Sequence, residues 1–425
     1  MGDAISTGSL LETATGRNTG AADWAEALRD RSRAEFAALG LPNRRLEAWR
    51  YSDLARALSE TVRETGSLPT CHDMPGAYSA IFENGILDET QSSFREAGAL
   101  PLRQILADPA SPFVGHIGGV NPQDDHPLLS LNTALMEEGI VLRVPAGTTL
   151  EQPLHLRFDW QADTIGGRHL RVLILLEEGA KATLVETHGG SPSFATIVTE
   201  VRLAKNSELT HVRLERLGSS GRQSAMTLGE IGASARYRAF YLSEGGHFSR
   251  HEALLKLAGE EAQADIEGAS LATGTRHCDN TTIITHAVPH TTSQQSFRGV
   301  LSGRARGAYQ GCIRVAPDAQ GTDARQMSRA LLLSHRAEAA TKPELEIFAD
   351  DVKCAHGATI GELDADALFF LRARGIPEAE ALSILIEAFF SESLAMIEND
   401  HLRGLATDAV QDWLSSHASE VSSVE

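Results

Sequence analysis

A cysteine and a histidine lie two residues apart in the segment DDVKCAHG, residues 350–357. If this segment is extended, the side chains of Cys354 and His356 point to one face of the strand, and those of Lys353 and Ala355 point to the other. A thiolate and an imidazole together suit soft or borderline metals, including iron and zinc. Two ligands do not complete a metal site, so a metal bound here needs further ligands from elsewhere in the fold or from a second chain.

Two other roles are open to these residues. In the first, His356 activates Cys354 as a nucleophile, but side chains two apart on a strand are parallel neighbours, which is a poor geometry for that proton transfer. In the second, the segment is a structural strand with a buried cysteine and a half-exposed histidine. On the residues alone, the structural role is favoured over metal ligation.

The other cysteines and histidines form no recognisable metal-binding pattern. The four cysteines of the chain are dispersed and include no C-x-x-C pair, which argues against a zinc knuckle and a disulfide framework, so reduced thiols are expected. One group has irregular spacing in a strand-and-turn context, which favours a solvated or core role for its members: His277, Cys278, His286 and His290.

Motifs for nucleotide and hydrolytic chemistry are missing from the sequence. No G-x-x-x-x-G-K-[ST] motif occurs, and the Gly-rich loop GSSGRQS at residues 218–224 lacks the phosphate-binding lysine. The chain is therefore not expected to bind ATP by itself. Because G-x-S-x-G, H-E-x-x-H and G-x-G-x-x-G are also missing, hydrolase, metalloprotease and dinucleotide-binding functions lack support.

Composition and charge narrow the class of protein further. The 425 residues are 42% hydrophobic, which is enough for a large core or for two to three domains. The net charge of -19 argues against nucleic acid as a partner, because that binding needs clustered Lys and Arg. No apolar run approaches the roughly 18 residues that span a bilayer. We therefore expect a cytoplasmic protein without a membrane partner.

Three regions of the chain differ in pattern. Residues 1–138 predict a helical and mixed region, residues 139–361 a core of short strands, and residues 362–425 a C-terminal helical region. Four turn residues in the core recur at an almost constant spacing, after which the period fades: Gly179, Asn206, Gly232 and Gly259. A repeat in the range of about 20–50 residues indicates a β-helix or solenoid. An antiparallel sandwich with accidental spacing is the alternative.

The C-terminal region predicts two consecutive helices. Asp364 is placed to cap the first helix, Gly375 to end it, and Pro377 to open the second. The second helix carries a broad apolar face that includes Leu382 and Phe390. Such a face usually packs on its own domain, and its width leaves docking to a partner as the alternative.

Two segments of the chain resemble the SufB/SufD family of iron-sulfur cluster assembly proteins. The longer segment runs from Phe297 to Ala381 and contains the specific block TKPELEIFADDVKCAHG, residues 341–357. The shorter segment, LPNRRLEAWRYSDL at residues 41–54, is similar to the N-terminal segment of the same family. Its R-R-x-E-x-W-R-Y-[ST]-D-L pattern, together with the small number of cysteines, resembles the SufD branch of the family rather than the SufB branch.

The resemblance implies a fold and a set of partners. The implied fold is mainly β, with a right-handed parallel β-helix core flanked by N-terminal and C-terminal α-helical regions. The implied role is that of a non-catalytic scaffold in a complex with SufB and the ABC-type ATPase SufC, which would carry the nucleotide chemistry. The C-terminal helices are then expected to dock SufC, and a homodimer is an option when SufB is absent.

The resemblance also carries over two site residues. His356 matches the family histidine proposed to face SufB where the cluster is assembled, and Cys354 matches a nearby cysteine. Both are therefore candidate ligands for iron or an iron-sulfur cluster that is held transiently and shared with SufB. Cys312 stands where lysine is expected in relatives and is treated as incidental.

Three alternatives stay open beside this hypothesis. One is a purely structural SufD-type subunit with no ligand role, and another is a paralogous SufB-type scaffold. The third is a polysaccharide-active β-helix enzyme that uses Asp350 and Asp351 as its acid and base. Adjacent strand residues face opposite ways and cannot flank one bond, so the third alternative is disfavoured.

Overall fold

A computed structural model describes most of the chain: residues 20–65, 67–71, 73–120, 124–161 and 167–416, together with Leu10 and Pro122. In this part of the chain the helices are α1 (Asp23–Leu39), α2 (Leu54–Ser59), α3 (Leu102–Ala107), α4 (Pro127–Leu135), α5 (Ala365–Arg372), α6 (Glu378–Ala395) and α7 (Asp400–Ser416). Two 3-10 helices are also present, at Glu47–Trp49 and Phe94–Ala97. None of the helices within these ranges has the length and apolar character needed to cross a bilayer.

The described residues form nineteen β-strands. In chain order they are β1 (Tyr78–Glu83), β2 (Ile86–Asp88), β3 (Leu100–Pro101), β4 (Glu138–Val144), β5 (Leu154–Trp160), β6 (Arg168–Leu176), β7 (Lys181–Gly190), β8 (Ala195–Leu203), β9 (Glu208–Leu217), β10 (Arg222–Ile231), β11 (Arg236–Ser243), β12 (Phe248–Leu257), β13 (Gln263–Ala272), β14 (His277–His286), β15 (Thr292–Leu301), β16 (Arg306–Val315), β17 (Thr322–Leu332), β18 (Glu338–Ile347) and β19 (Val352–Gly361).

The strands form two sheets that the chain visits alternately. Sheet A holds the odd-numbered strands from β5 to β19 together with β1 and β2, and sheet B holds the even-numbered strands from β4 to β18 together with β3. From β4 onward each strand pairs in parallel with the strand two further along the chain. This topology is a parallel β-solenoid of about 8 turns flanked by N-terminal and C-terminal helices, which confirms the mainly β prediction and excludes the antiparallel sandwich.

The length of a solenoid turn explains the repeat in the sequence and its loss. Lys181 pairs with Glu208 and Glu208 with Arg236, so these two turns advance along the chain by nearly equal steps. Thr292 pairs with Asp323, which makes the turn between β15 and β17 longer than either. The period therefore fades because later turns are longer, while the solenoid continues to Gly361.

Left-handed residues recur at the turns that lead from sheet B to sheet A. Gly179, Asn206, Ser234 and Glu261 have φ values between 51° and 68°. The backbone N–H groups of Gly179, Asn206 and Ser234 each donate to a carbonyl of the next turn at 2.8–2.9 Å. These stacked hydrogen bonds offset the strain of non-glycine residues in this conformation. Of the four residues that define the repeat in the sequence, Gly179 and Asn206 are themselves left-handed turn residues.

Helices cover the outer faces of both sheets. Ala25 of α1 and Ile105 of α3 pack with Leu173 on sheet B. On the other side, Leu382 and Phe390 of α6 pack in one cluster with several side chains of sheet A: Phe240, Leu242, Leu271 and Val300. The interior between the sheets is apolar in the first turns, where Leu156, Phe158, Val172 and Ile197 are buried.

Candidate functional site

Cys354 and His356 lie on the extended strand β19, where they share a face as the spacing predicts. Cys354 is in register with Ala324, and His356 is in register with Gln326. Residues in register on parallel strands point to the same side of the sheet. Because Ala324 and Gln326 are buried inside the solenoid, Cys354 and His356 face its interior at the end where the next turn is missing.

The two side chains differ in their surroundings. Cys354 is half-buried and packs against a small apolar cluster that includes Ala324 and Ala349. Burial and the nearby Asp323 carboxylate raise the pKa of the Cys354 thiol above its ordinary value. His356 is exposed. A thiol with a raised pKa stays protonated near neutral pH, so Cys354 would bind a metal only by losing its proton.

The pair does not belong to a complete metal site within the described ranges. No group of three or more His, Cys, Asp or Glu side chains lies close enough there to hold a metal ion. Asp351, near the start of β19, uses its backbone N–H to donate to the side chain of Gln320 at 2.8 Å. Cys354 and His356 can therefore offer two soft or borderline ligands, and the remaining ligands would come from another molecule.

The last turn of the solenoid is an open double edge. Among the described strands, β19 ends sheet A and pairs with β17 alone, and β18 ends sheet B and pairs with β16 alone. Neither strand contains a buried residue. Three large apolar side chains are exposed at this end: Ile347 (38%), Phe348 (68%) and Ile360 (45%). Unpaired backbone groups on two adjacent edges form a template for pairing with another chain.

The other cysteine and histidine candidates take structural positions. Burial raises the pKa of the thiols of Cys278 and Cys312 to about 12. Both His286 nitrogens hydrogen-bond to hydroxyl groups, those of Thr291 at 2.8 Å and Ser293 at 2.9 Å. His277 points away from the interior and lies 2.7 Å from the hydroxyl oxygen of Ser52, and His290 is a turn residue with a φ of 59°. These residues serve the core and the turns.

A buried polar network inside the solenoid is the main feature that the sequence did not indicate. Glu186 lies 3.2 Å from the Nε2 atoms of both His188 and His211. Arg213 contacts Glu215 at 2.5 Å on β9, the neighbouring strand. Burial alone would raise the pKa of Glu186, but hydrogen bonds from the two histidines hold it well below its ordinary value. The only signal in the sequence is that the polar residues on β9 alternate with the apolar Val212 and Leu214.

The polar lining continues toward the open end. Thr282 donates to Gln295 at 2.5 Å and lies 2.9 Å from the hydroxyl oxygen of Tyr309. Gln326 is 2% exposed, and neither of its amide atoms has a hydrogen-bond partner among the described residues. Buried polar atoms of this kind usually bind ordered water. His356, in the following turn, pairs with Gln326 and therefore lies over a polar interior.

The C-terminal helices present a second apolar surface. The Asp364 carboxylate accepts the N–H groups of Asp366 and Ala367, as the capping prediction requires. On α5, Phe369 is 73% exposed and Phe370 is 54% exposed. A groove of about 510 Å³ lies between α6 and α7 and is lined by apolar and polar side chains that include Ile384, Leu394 and Val410. One face of α6 therefore packs on sheet A, while the other borders this groove and carries the exposed Ile384 in the described part of the chain.

Fold and site together define the class of the protein as a helix-flanked parallel β-solenoid that ends in an open edge bearing a cysteine and a histidine. Residues 159–389 match the family model described as the SufBD core domain of SUF system FeS cluster assembly. That match covers more than half of the chain. The chain belongs to the SufBD family of iron-sulfur cluster assembly proteins.

Individual relatives agree with this assignment. An iron-sulfur cluster assembly SufBD family protein of Synechocystis sp. is 30% identical over 397 residues, which cover 86% of each chain. The iron-sulfur cluster assembly protein SufD of Escherichia coli is 30% identical over 86% of this chain and 87% of its own. SufD of Bacillus subtilis is 27% identical over 63% of this chain and 62% of its own.

Proposed function

We propose that the chain is the SufD-type, non-catalytic subunit of a SufB-SufC-SufD scaffold for iron-sulfur cluster assembly in the cytoplasm. The observation that carries the proposal is the open edge formed by β18 and β19, which bears Cys354 and His356. Membership of the SufBD family and the similarity to two proteins named SufD support the choice of subunit.

SufB is the proposed partner at the open edge. A paralogous solenoid can continue both sheets through the unpaired N–H and C=O groups of β18 and β19. Pairing would also cover Phe348, which is 68% exposed. Cys354 and His356 would then face residues of SufB across the junction. Iron or a nascent cluster is the cargo of such a site, bound transiently by His356 and assisted by Cys354, with SufB supplying the remaining ligands.

SufC is the proposed partner of the C-terminal helices. Phe369 and Phe370 are 73% and 54% exposed on α5, with the Arg374 guanidinium over the Phe370 ring, and exposed apolar patches mark docking surfaces. When SufC closes on ATP, it would shift the helical ends of both solenoid subunits and change the SufB-SufD contact. Linkage requires the reverse effect, so cluster-site geometry would also change nucleotide affinity. A SufB-SufD crosslinking yield that is the same with and without ATP would contradict this coupling.

A matched pair of variants separates the two surfaces. Phe348→Asp and Phe369→Asp make the same substitution at similarly exposed positions, so both chains should fold. We expect Phe348→Asp to lose SufB and keep SufC, and Phe369→Asp to show the opposite. Size-exclusion chromatography with light scattering of the co-expressed chains measures both associations. Retention of both partners by both variants would refute the two proposed surfaces.

A purely structural role is the second candidate, because Cys354 packs against the core as an ordinary half-buried side chain would. In that case His356→Ala leaves cluster loading of the complex unchanged. A homodimer formed through the same edge, or a SufB-type role, would appear in the light-scattering experiment as self-association of the chain without SufB.

A further inference from the structure

A cleft beside the last turns of the solenoid concentrates positive charge in a chain whose net charge is -19. Its lining contains five arginines and three carboxylates. The cleft has a volume of about 340 Å³, which is the size of a small-molecule pocket. Neither Cys354 nor His356 lines it, so the cleft is separate from the proposed assembly site.

Two of the five guanidinium groups are neutralised by neighbouring carboxylates. Arg56 pairs with Glu60 at 2.7 Å, and Arg306 pairs with Glu338 at 3.1 Å. Asp53, the third carboxylate of the lining, accepts the backbone N–H of Arg56 at 3.0 Å. Among the residues that the structure describes, no carboxylate forms an ion pair with the other three arginines, which are Arg44, Arg304 and Arg336.

Stacked turns fix the backbone positions of Arg304 and Arg336, both of which are exposed residues of the lining. The backbone N–H of Arg304 donates to the carbonyl of Gly274 at 2.7 Å. In the following turn, which carries Arg336, the Ser334 hydroxyl donates to the carbonyl of Gly303 at 2.6 Å. Arg304 and Arg336 therefore approach the cleft from consecutive turns of one stack. Two guanidinium forks in this arrangement suit the several oxygens of a phosphate group.

The inner wall of the cleft is uncharged. Phe248 is 2% exposed, and burial lowers the pKa of His277 to about 4. The imidazole of His277 is therefore neutral near pH 7. A partly apolar, neutral wall reduces solvent screening and strengthens the attraction between an anion and the arginines at the rim.

We propose that this cleft binds a small phosphate-bearing anion, with Arg304 and Arg336 as its main contacts and Arg44 at the rim. Its volume fits a small molecule rather than a polymer, and the acidic chain as a whole would repel nucleic acid. The cleft reaches the start of β18 through Glu338, and the proposal itself does not require SufB or SufC to be bound.

Calorimetric titration of the full chain with pyrophosphate, in a buffer free of phosphate, tests the proposal. We expect binding that weakens as salt concentration rises, and a dissociation constant at least about tenfold higher for Arg304→Ala/Arg336→Ala, because hydrogen bonds to charged groups are lost. The control Arg31→Ala/Arg325→Ala removes the same charge from exposed positions outside the cleft and should bind like the wild type.

Three results would overturn the proposal. They are the absence of pyrophosphate binding to the wild type, equal binding by the two double variants, and tighter binding of citrate, a carboxylate anion, than of pyrophosphate. Circular dichroism confirms that each variant is folded. If Arg304→Ala/Arg336→Ala does not fold, the single variant Arg304→Gln provides the same comparison.

Discussion

At the scale of single residues, exposure separates Cys354 from Cys278 and Cys312. Cys278 and Cys312 are buried, whereas Cys354 lies on the uncovered last strand and is half-buried. Cys71 is also half-buried, but burial and the neighbouring Asp159 carboxylate raise the pKa of its thiol strongly. A thiol reacts through its thiolate form, so access and pKa together rank these side chains.

Pulsed alkylation of the folded chain tests this ranking. Cys354 should be alkylated first, at least about tenfold faster than Cys278 and Cys312, because both of those are buried and have raised pKa values. Adding SufB should slow the alkylation of Cys354 and leave the other thiols unchanged. Peptide mass spectrometry measures each site. Labelling of Cys278 ahead of Cys354, or no protection by SufB, would contradict the proposed interface.

A buried histidine makes a separate prediction about pH. Burial lowers the pKa of His286 from 6.5 to about 4, so between these values the unfolded chain binds a proton that the folded chain does not. The contribution of neutral His286 to the free energy of unfolding is therefore fully present above about pH 6.5. It falls by up to about 3 kcal/mol as the pH decreases toward 4. The destabilisation caused by His286→Gln should be largest near pH 7 and shrink with acidification.

Chemical denaturation of the wild type and His286→Gln at several pH values measures this difference. The glutamine keeps hydrogen-bonding capacity toward Thr291 and Ser293, which makes it a suitable replacement. A stability difference that stays constant from pH 7 to 4.5 would show that His286 does not carry this pH dependence.

At the scale of elements, α6 packs on its own domain, as its broad apolar face favours, whereas docking to a partner stays a prediction. Phe390 is fully buried against sheet A, whereas Ile384 is 40% exposed beside the groove to α7. A helix that packs on one face only usually has polar residues on the other. The exposed apolar residues on the outer side of α6, together with Phe369 and Phe370 of α5, form the surface on which we propose that SufC docks.

Two phenylalanine variants distinguish packing from docking. Phe390→Ala should reduce the free energy of unfolding by about 3–5 kcal/mol, because it leaves a cavity between α6 and sheet A. Phe370→Ala, at a position 54% exposed and in contact with the Arg374 guanidinium, should change the stability of the isolated chain by less than about 1 kcal/mol. The same Phe370→Ala change should weaken SufC binding. Denaturant titration and a SufC binding assay supply the two readouts, and a stability loss at Phe370 equal to that at Phe390 would contradict this division.

At the scale of the whole molecule, the sequence predicts the architecture better than the site. The spacing of Gly179 and Asn206 reflects stacked left-handed corners, and that local conformation leaves a visible pattern. The contact between Glu186 and His211 depends on the register of two strands one solenoid turn apart, which no local pattern encodes. The common face of Cys354 and His356 follows from strand geometry. Their position at an open edge depends instead on β19 being the last strand of sheet A in the described part of the chain.

Sequence motifs alone do not define the function of this chain. Cys354 and His356 offer two ligands, and the described chain does not complete the set. A site that is shared between two chains appears in either sequence as an isolated pair of residues. Membership of the SufBD family and the exposed edge of β18 and β19 provide the support for the proposed function that the two residues alone do not provide. The division into regions 1–138, 139–361 and 362–425 stays a prediction. In the structure, strands that belong to the two sheets already begin at Tyr78, within the first of these regions.

The most direct test of the account is the content of iron and acid-labile sulfide in the anaerobically purified SufB-SufC-SufD complex. His356→Ala should lose most of both elements while the subunit ratio stays intact. Lys353→Ala, on the opposite face of the same strand, should retain them. Undiminished iron and sulfide in the His356→Ala complex would contradict the ligand role and leave β19 as a structural edge.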